Sequence, residues 1–230
     1  MFEKLINKVK DLIQQASQPR IAPAELFKDP LAGQIDWTPA KGGGTNFRTH
    51  KLKAAGPHRL EFRLTTGAML FGGLFVTIGA ATMIGGIAAL IAGAFQKDGG
   101  TEWAPVIMLP LFGLVFGGVG GGMLYSMSTP RVFDKDSGFY WKGRISPSNM
   151  LAGEMEIQTD KFTKLADIHA IQLLSEYIHG QKSSYYSYEL NLITHDGKRI
   201  NVIDHGNKAK LIEDAELMGV FLNVPVWNYI

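Results

Sequence analysis

Two runs without a charged side chain set the terms for any fold of this 230-residue chain: Leu64 to Gln96, and the stretch between Glu102 and Arg131. At ~1.5 Å of rise per residue, ~20 residues cross the hydrocarbon of a bilayer, so each run suffices for one helix and neither holds two passes with a turn. The first is long enough to tilt or to continue past the bilayer. A soluble protein would have to bury both helices on every side, which two such runs joined by a short polar turn disfavour. The expected architecture is a membrane α-helical hairpin of two transmembrane helices, residues 64–127, between soluble flanks. A net charge of +2 and a mean hydropathy of +0.03 average over this segregation and conceal it.

The second run contains Phe-Gly-Gly-Val-Gly-Gly-Gly-Met, residues 116–123. Both phosphate-binding fingerprints fail here, because Met123 stands where a dinucleotide loop needs its third glycine and a Walker-type loop its lysine. In lipid the glycines have another use: small residues let helix backbones approach where no hydrophobic effect draws them together. Gly113, Gly117 and Gly121 repeat at four-residue spacing, with Gly118 and Gly122 as a neighbouring stripe. On the first helix Thr77, Ala81, Gly85, Ala89 and Gly93 repeat at the same spacing. These faces are expected to pack the hairpin and to leave one stripe for a partner or a second copy. Neither span carries an ionisable residue, which argues against a proton relay or a charged-substrate path.

Cations set the orientation. Arg48, Lys51, Lys53, Arg59 and Arg63 precede the first helix and Arg131, Lys135, Lys142 and Arg144 follow the second, whereas the turn has only Lys97, offset by Asp98 and Glu102. The positive-inside rule then puts both termini in the cytoplasm, with Trp103 and Tyr125 as interfacial anchors. The expected location is a bacterial inner (plasma) membrane. The start of the chain has no continuous apolar core, so the first span is expected to act as the insertion signal.

The flanks read as three pieces. In residues 1–17, Phe2, Leu5, Ile6, Val9, Leu12 and Ile13 form the stripe of a basic amphipathic helix suited to the membrane interface or to docking on protein. Residues 18–63 read as a proline-rich linker with Gly42-Gly43-Gly44, then two strands, Phe47 to Lys53 and Arg59 to Leu64, around Ala54-Ala55-Gly56-Pro57. Residues 128–230 alternate in period two. Arg131-Val-Phe-Asp and Phe139-Tyr-Trp-Lys flank a turn, Ile168 to Ile178 is a long apolar strand, and Tyr186 to Leu192 turns through Asp196-Gly197 into Arg199 to Ile203. A helical stripe of Leu211, Ala215, Met218 and Leu222 ends at Asn223 and Pro225. This is an α+β domain, a small β-barrel or sandwich capped by a C-terminal helix.

The hairpin, followed by Phe133-Asp-Lys-Asp-Ser-Gly-Phe, the strand Ala166-Asp-Ile-His-Ala-Ile-Gln-Leu, a β-hairpin and a helix ending Phe221-Leu-Asn-Val-Pro, resembles the two-helix membrane proteins that carry a bacterial pleckstrin-homology-like (PH-like) cytoplasmic domain. In layout it is similar to the photosystem I assembly proteins of thylakoids. The likeness covers residues 65–230, and the first sixty-odd residues depart from that pattern. It implies a PH-like fold and a non-catalytic, assembly-type role.

Direct chemistry is sparse. Without cysteine there is no disulfide, thiol nucleophile or thiolate metal site. Asp134-Lys-Asp136-Ser-Gly138 resembles the start of a calcium loop, but the closing glutamate position is Ile145, and a plain turn is expected. His169, His179, His195 and His205 lack the spacing of a helical zinc pair. Asp204-His205 could be a base with its orienter, without a nucleophile elbow to serve it. Tyr185, Tyr186 and Tyr188 have no basic stripe beside them, so no nucleic-acid partner is expected. Lys142 and Arg144, beside Trp141, are the candidates for lipid headgroups. The expectation is a non-enzymatic scaffold without cofactor or metal, in contact with membrane lipid and with a protein partner or further copies of itself. A homo-oligomeric channel or transport subunit is the alternative, and a membrane enzyme acting on lipid or sugar the third reading.

Overall fold

The computed structural model describes residues 22–94, 103–147, 162–180 and 183–230. The amphipathic segment at 2–13 and the polar turn at 96–102 lie outside them. The chain divides into two compact units, Met1–Trp37 and Thr38–Ile230.

In the first unit, α1 (Pro23–Phe27) starts on a proline whose fixed φ suits the first helical position, and Lys28 ends it in the left-handed region at φ 52°. A 3-10 turn, Pro30–Gly33, follows, with the Asp29 carboxylate accepting from the Leu31 N–H at 2.9 Å. The Trp37 indole N–H donates to the Ala32 carbonyl at 2.7 Å, and its ring stacks on Phe27 with centroids 5.3 Å apart. The stretch expected to be irregular thus holds a small fold pinned by tryptophan.

The second unit begins with β1 (His50–Gly56) and β2 (Arg59–Leu64), continues through the long helices α2 (Thr66–Ala94) and α3 (Trp103–Met127), and returns to strands. These are β3 (Arg131–Asp134), β4 (Phe139–Lys142), β5 (Phe162–Lys164), β6 (Ile168–Ile178), β7 (Tyr185–Thr194) and β8 (Arg199–His205). Helix α4 (Lys208–Leu222) and β9 (Val226–Asn228) close the chain. One sheet runs β1-β2-β3-β4-β5 in antiparallel order. The other runs β8-β7-β6-β9, with β9 parallel to β6. Alternation puts Phe62, Phe133 and Tyr140 of the first sheet against Ile171, Leu173, Leu190 and Leu192 of the second. Leu211, Ala215 and Met218 of α4 complete this core. That helix starts where Asn207 accepts from the Lys210 N–H at 3.0 Å and stops at Asn223, φ 58°.

Strands β2 and β3 are neighbours, Leu60 opposite Phe133 and Glu61 opposite Val132, although both helices lie between them in sequence. The hairpin is therefore an insertion in a β-meander, and the folded domain takes in β1 and β2 as well as residues after 128. Helices α2 and α3 are long and apolar enough to cross a membrane. The calcium-like stretch forms a turn in which Asp134 Oδ1 accepts from the Asp136 and Ser137 N–H groups, with Gly138 at φ +77°.

Candidate functional site

The two long helices meet backbone to backbone. Helix α2 buries Ala68, Gly72, Gly79, Gly86 and Gly93, the last four at seven-residue intervals. Helix α3 answers with Pro110, Gly113, Gly117, Gly120 and Leu124, at alternating three- and four-residue spacing. A Cβ on Gly79 would lie 2.3 Å from the Gly117 nitrogen, one on Gly86 2.3 Å from Pro110 Cδ, and one on Gly113 2.5 Å from the Gly79 carbonyl oxygen. A row spaced by seven drifts only about 20° per step around a helix, against about 40° for a row spaced by four, so the seven-residue row keeps facing a single partner. Beside this seam Phe71, Phe75, Phe116 and Phe112 form a chain of ring contacts, and Phe47 of the β domain joins it, 6.0 Å from Phe71.

Of the predicted helix-packing residues, Gly113 and Gly117 lie along the seam, Gly93 is buried and Ala89 is half-buried. Ala81, Gly85, Gly118, Gly121 and Gly122 are exposed, and a Cβ on any of these four glycines would meet nothing within 4 Å. Of the four-residue row on α2, Thr77, Ala81 and Gly85 thus point away from α3. Small-residue content alone pointed to packing without saying which of two glycine rows is turned inward.

Both ends of the hairpin are tied to the β domain. Before α2, the Thr65 hydroxyl donates to the Arg48 carbonyl at 2.8 Å and accepts from the Ala68 N–H at 3.3 Å, a helix N-cap. After α3, Arg144 donates to the Tyr125 carbonyl and to Ser128 Oγ, with its guanidinium 4.2 Å from the centroid of the Tyr125 ring. A cation at the negative end of the helix dipole is favourable, so Arg144, expected at lipid headgroups, serves as a C-terminal cap. His50 Nε2 lies 2.9 Å from the Met127 carbonyl oxygen and 2.8 Å from Arg131 Nη1. Arg131 Nε–H donates to the Val202 carbonyl at 2.6 Å, so one guanidinium joins β1, β3 and β8 under the end of α3. Burial, and then Arg131, hold the His50 imidazole down at about 4, neutral at pH 7.

Lys142, the other headgroup candidate, is exposed as a residue, while its ammonium is held down to about 8 by partial burial and by Arg131 and Lys41. Asp204 stands opposite, its carboxyl pushed up to about 6 by burial and by Glu189 in spite of a 2.9 Å bond from Asn201 Nδ2. Asp204 and His205 are successive strand residues and project to opposite faces. His205 Nδ1 accepts from the Asn207 N–H at 3.2 Å, and burial, then Arg48, lower its imidazole to about 4. Asp204 therefore does not orient His205. His169 and His195 approach with Nδ1 atoms 3.1 Å apart, and His179 packs its ring on Tyr177. Among the described residues no three His, Cys, Asp or Glu are grouped to hold a metal.

A second contact network went unread in the sequence. Buried Glu189 accepts from the Ala40 and Lys41 N–H groups at 3.0 and 3.3 Å, Glu176 from the Gly43 N–H at 2.9 Å, and the Tyr185 hydroxyl donates to the Gly44 carbonyl at 2.8 Å. A Cβ on Gly44 would sit 2.0 Å from Ser187 Oγ, so only glycine lets this segment lie flat on β7. The triplet Gly42-Gly43-Gly44 was the available signal, and it reads equally as a flexible linker. Comparison with protein families, with curated proteins and with solved structures found no match.

Proposed function

We propose that the chain is a non-catalytic membrane scaffold or assembly protein, with a hairpin that docks in a membrane complex and a cytoplasmic β domain that binds a protein partner. The observation that carries this reading is the insertion of the hairpin between adjacent strands β2 and β3, with Thr65, His50 and Arg144 bonding its two ends to the domain. A domain held at both helix ends keeps a fixed height and rotation over the bilayer, as a platform for a partner requires. Membrane insertion is supported by side-chain polarity turned inside out: glycines fill the seam while Leu70, Ile84 and Leu114 are 69%, 66% and 63% exposed. The cations flanking the hairpin support a bacterial inner-membrane location with both termini in the cytoplasm. Two sheets, antiparallel but for β9, with a helix against their shared core support a PH-like fold.

Gly118 and Gly122, open to the outside of the hairpin, are the contact proposed for the membrane partner. The test is affinity isolation of a tagged full chain from gently solubilised native membranes, compared with a Gly118→Leu, Gly122→Leu variant whose seam is untouched. A stoichiometric foreign protein lost from the variant is the expected result. Copies of the chain alone, lost from the variant, would favour the homo-oligomeric channel or transport subunit, with solute flux in liposomes measured next. A single copy without partners in both preparations would remove the docking role.

A further inference from the structure

Where the hairpin meets the first sheet there is a cavity of about 570 Å³. Lys51, Lys53 and Arg63 line it on the strand side, and Met69, Met127 and Pro130 on the helix side. Lys51 pairs across the ladder with Arg63, and Lys53 with Glu61, so all four side chains share one face. Glu61 is taken: its carboxylate accepts from Arg59 Nε at 2.7 Å and from Arg63 Nε at 3.0 Å. Although burial opposes ionisation, Arg63 and Arg59 outweigh it and keep that carboxyl below its usual range. Lys51 and Lys53 have no carboxylate partner among the described residues, and Lys51 stands directly beside a like charge, an arrangement that destabilises a bare ladder. An anion between the three cations relieves it.

The depth of the cavity says which anion. Its helix side is the first turn of α2 and the last residues of α3, the level at which both apolar spans begin. Exposed Met69 and Leu70 continue down α2 from its rim. Cationic above and apolar below, the site fits one amphiphile. We propose that it binds the headgroup phosphate of an acidic phospholipid, held by Lys51, Lys53 and Arg63, with the acyl chains along α2. This rests on the membrane reading above. A zwitterionic headgroup brings its own cation and gains less from three fixed ones.

The test reconstitutes the full chain in nanodiscs of equimolar DOPC and DOPG, extracts it in mild detergent, and counts retained lipids by native mass spectrometry. Wild type is expected to keep DOPG over DOPC. The Lys51→Gln, Lys53→Gln variant should lose roughly thirty-fold in that preference, the juxtamembrane contribution of two cations. Lys164→Gln, on β5, should keep it. Equal retention of both lipids in wild type, or an unchanged preference in the double variant, overturns the site. Displacement of DOPG by inorganic phosphate as effectively as by short-chain phosphatidylglycerol would make it a free-phosphate site and overturn the lipid assignment. Failure of the chain to enter nanodiscs would overturn the membrane reading and this site with it, whereas entry without DOPG preference overturns the site alone.

Discussion

Replacing Gly79 by leucine is expected to abolish the folded hairpin, and replacing it by alanine to cost about 1–3 kcal/mol, the range for forcing extra carbon into a packed interior. The obstacle is backbone. A Cβ at Gly79 would lie 2.3 Å from the Gly117 nitrogen and 2.5 Å from its Cα, so no rotamer change relieves the clash and the helices must separate. Separation would also strain the β2–β3 pairing that brackets the hairpin. Gly85→Ala and Gly118→Ala, which meet nothing within 4 Å, are the matched controls and should unfold with wild type. The measurement is the midpoint of unfolding in a mild detergent, by heat or by added SDS. A Gly79→Ala midpoint equal to that of the two controls would rule out this seam.

Acidification from pH 6 to about 4.5 should destabilise the β domain. His50 and His205 titrate at about 4 in the folded chain against an ordinary 6.5. The unfolded state therefore binds their protons first, and the stability these neutral rings contribute, complete above pH 6.5, is lost as pH falls towards 4. Asp204 works in the opposite sense. Its carboxyl is at about 6 when folded against an ordinary 3.8, so the folded state takes that proton first and gains stability as pH falls through 6. Asp214, raised by burial beyond what Arg48 offsets, acts in the same direction as Asp204. Two histidines against one carboxyl leave a net loss of at most about one proton, or ~1.4 kcal/mol per pH unit, between pH 6 and about 4.5. Asp204→Asn removes the opposing group and should steepen the loss to about twice that. Unfolding midpoints of both proteins at pH 7.5, 6 and 5 check the prediction, which fails if wild type is flat over that range.

Much of the architecture was legible because it is written inside single segments. The absence of charge marked both long helices. Alternation in Leu60, Phe62 and Leu64, and again in Tyr186 to Leu192, marked the strands, and the stripe from Leu211 to Leu222 with Asn223 behind it marked α4. The site residues were less legible. Gly113 and Gly117 were named for packing and lie along the seam, but Gly72, Gly79 and Gly86, which α2 turns to α3, were passed over for a four-residue row. Arg144 was read by its closeness to the bilayer, and its geometry makes it a helix cap.

By itself the sequence determined two long apolar helices, a set of amphipathic strands and a capped final helix, because charge, period and capping act within a few residues of where they are encoded. The tertiary structure decided which glycine row faces inward, that β2 and β3 join across the whole hairpin, that Gly44 lies on Ser187, and that Arg131 meets His50. Each of these depends on the shape and charge of a surface far along the chain, and no local pattern carries that surface.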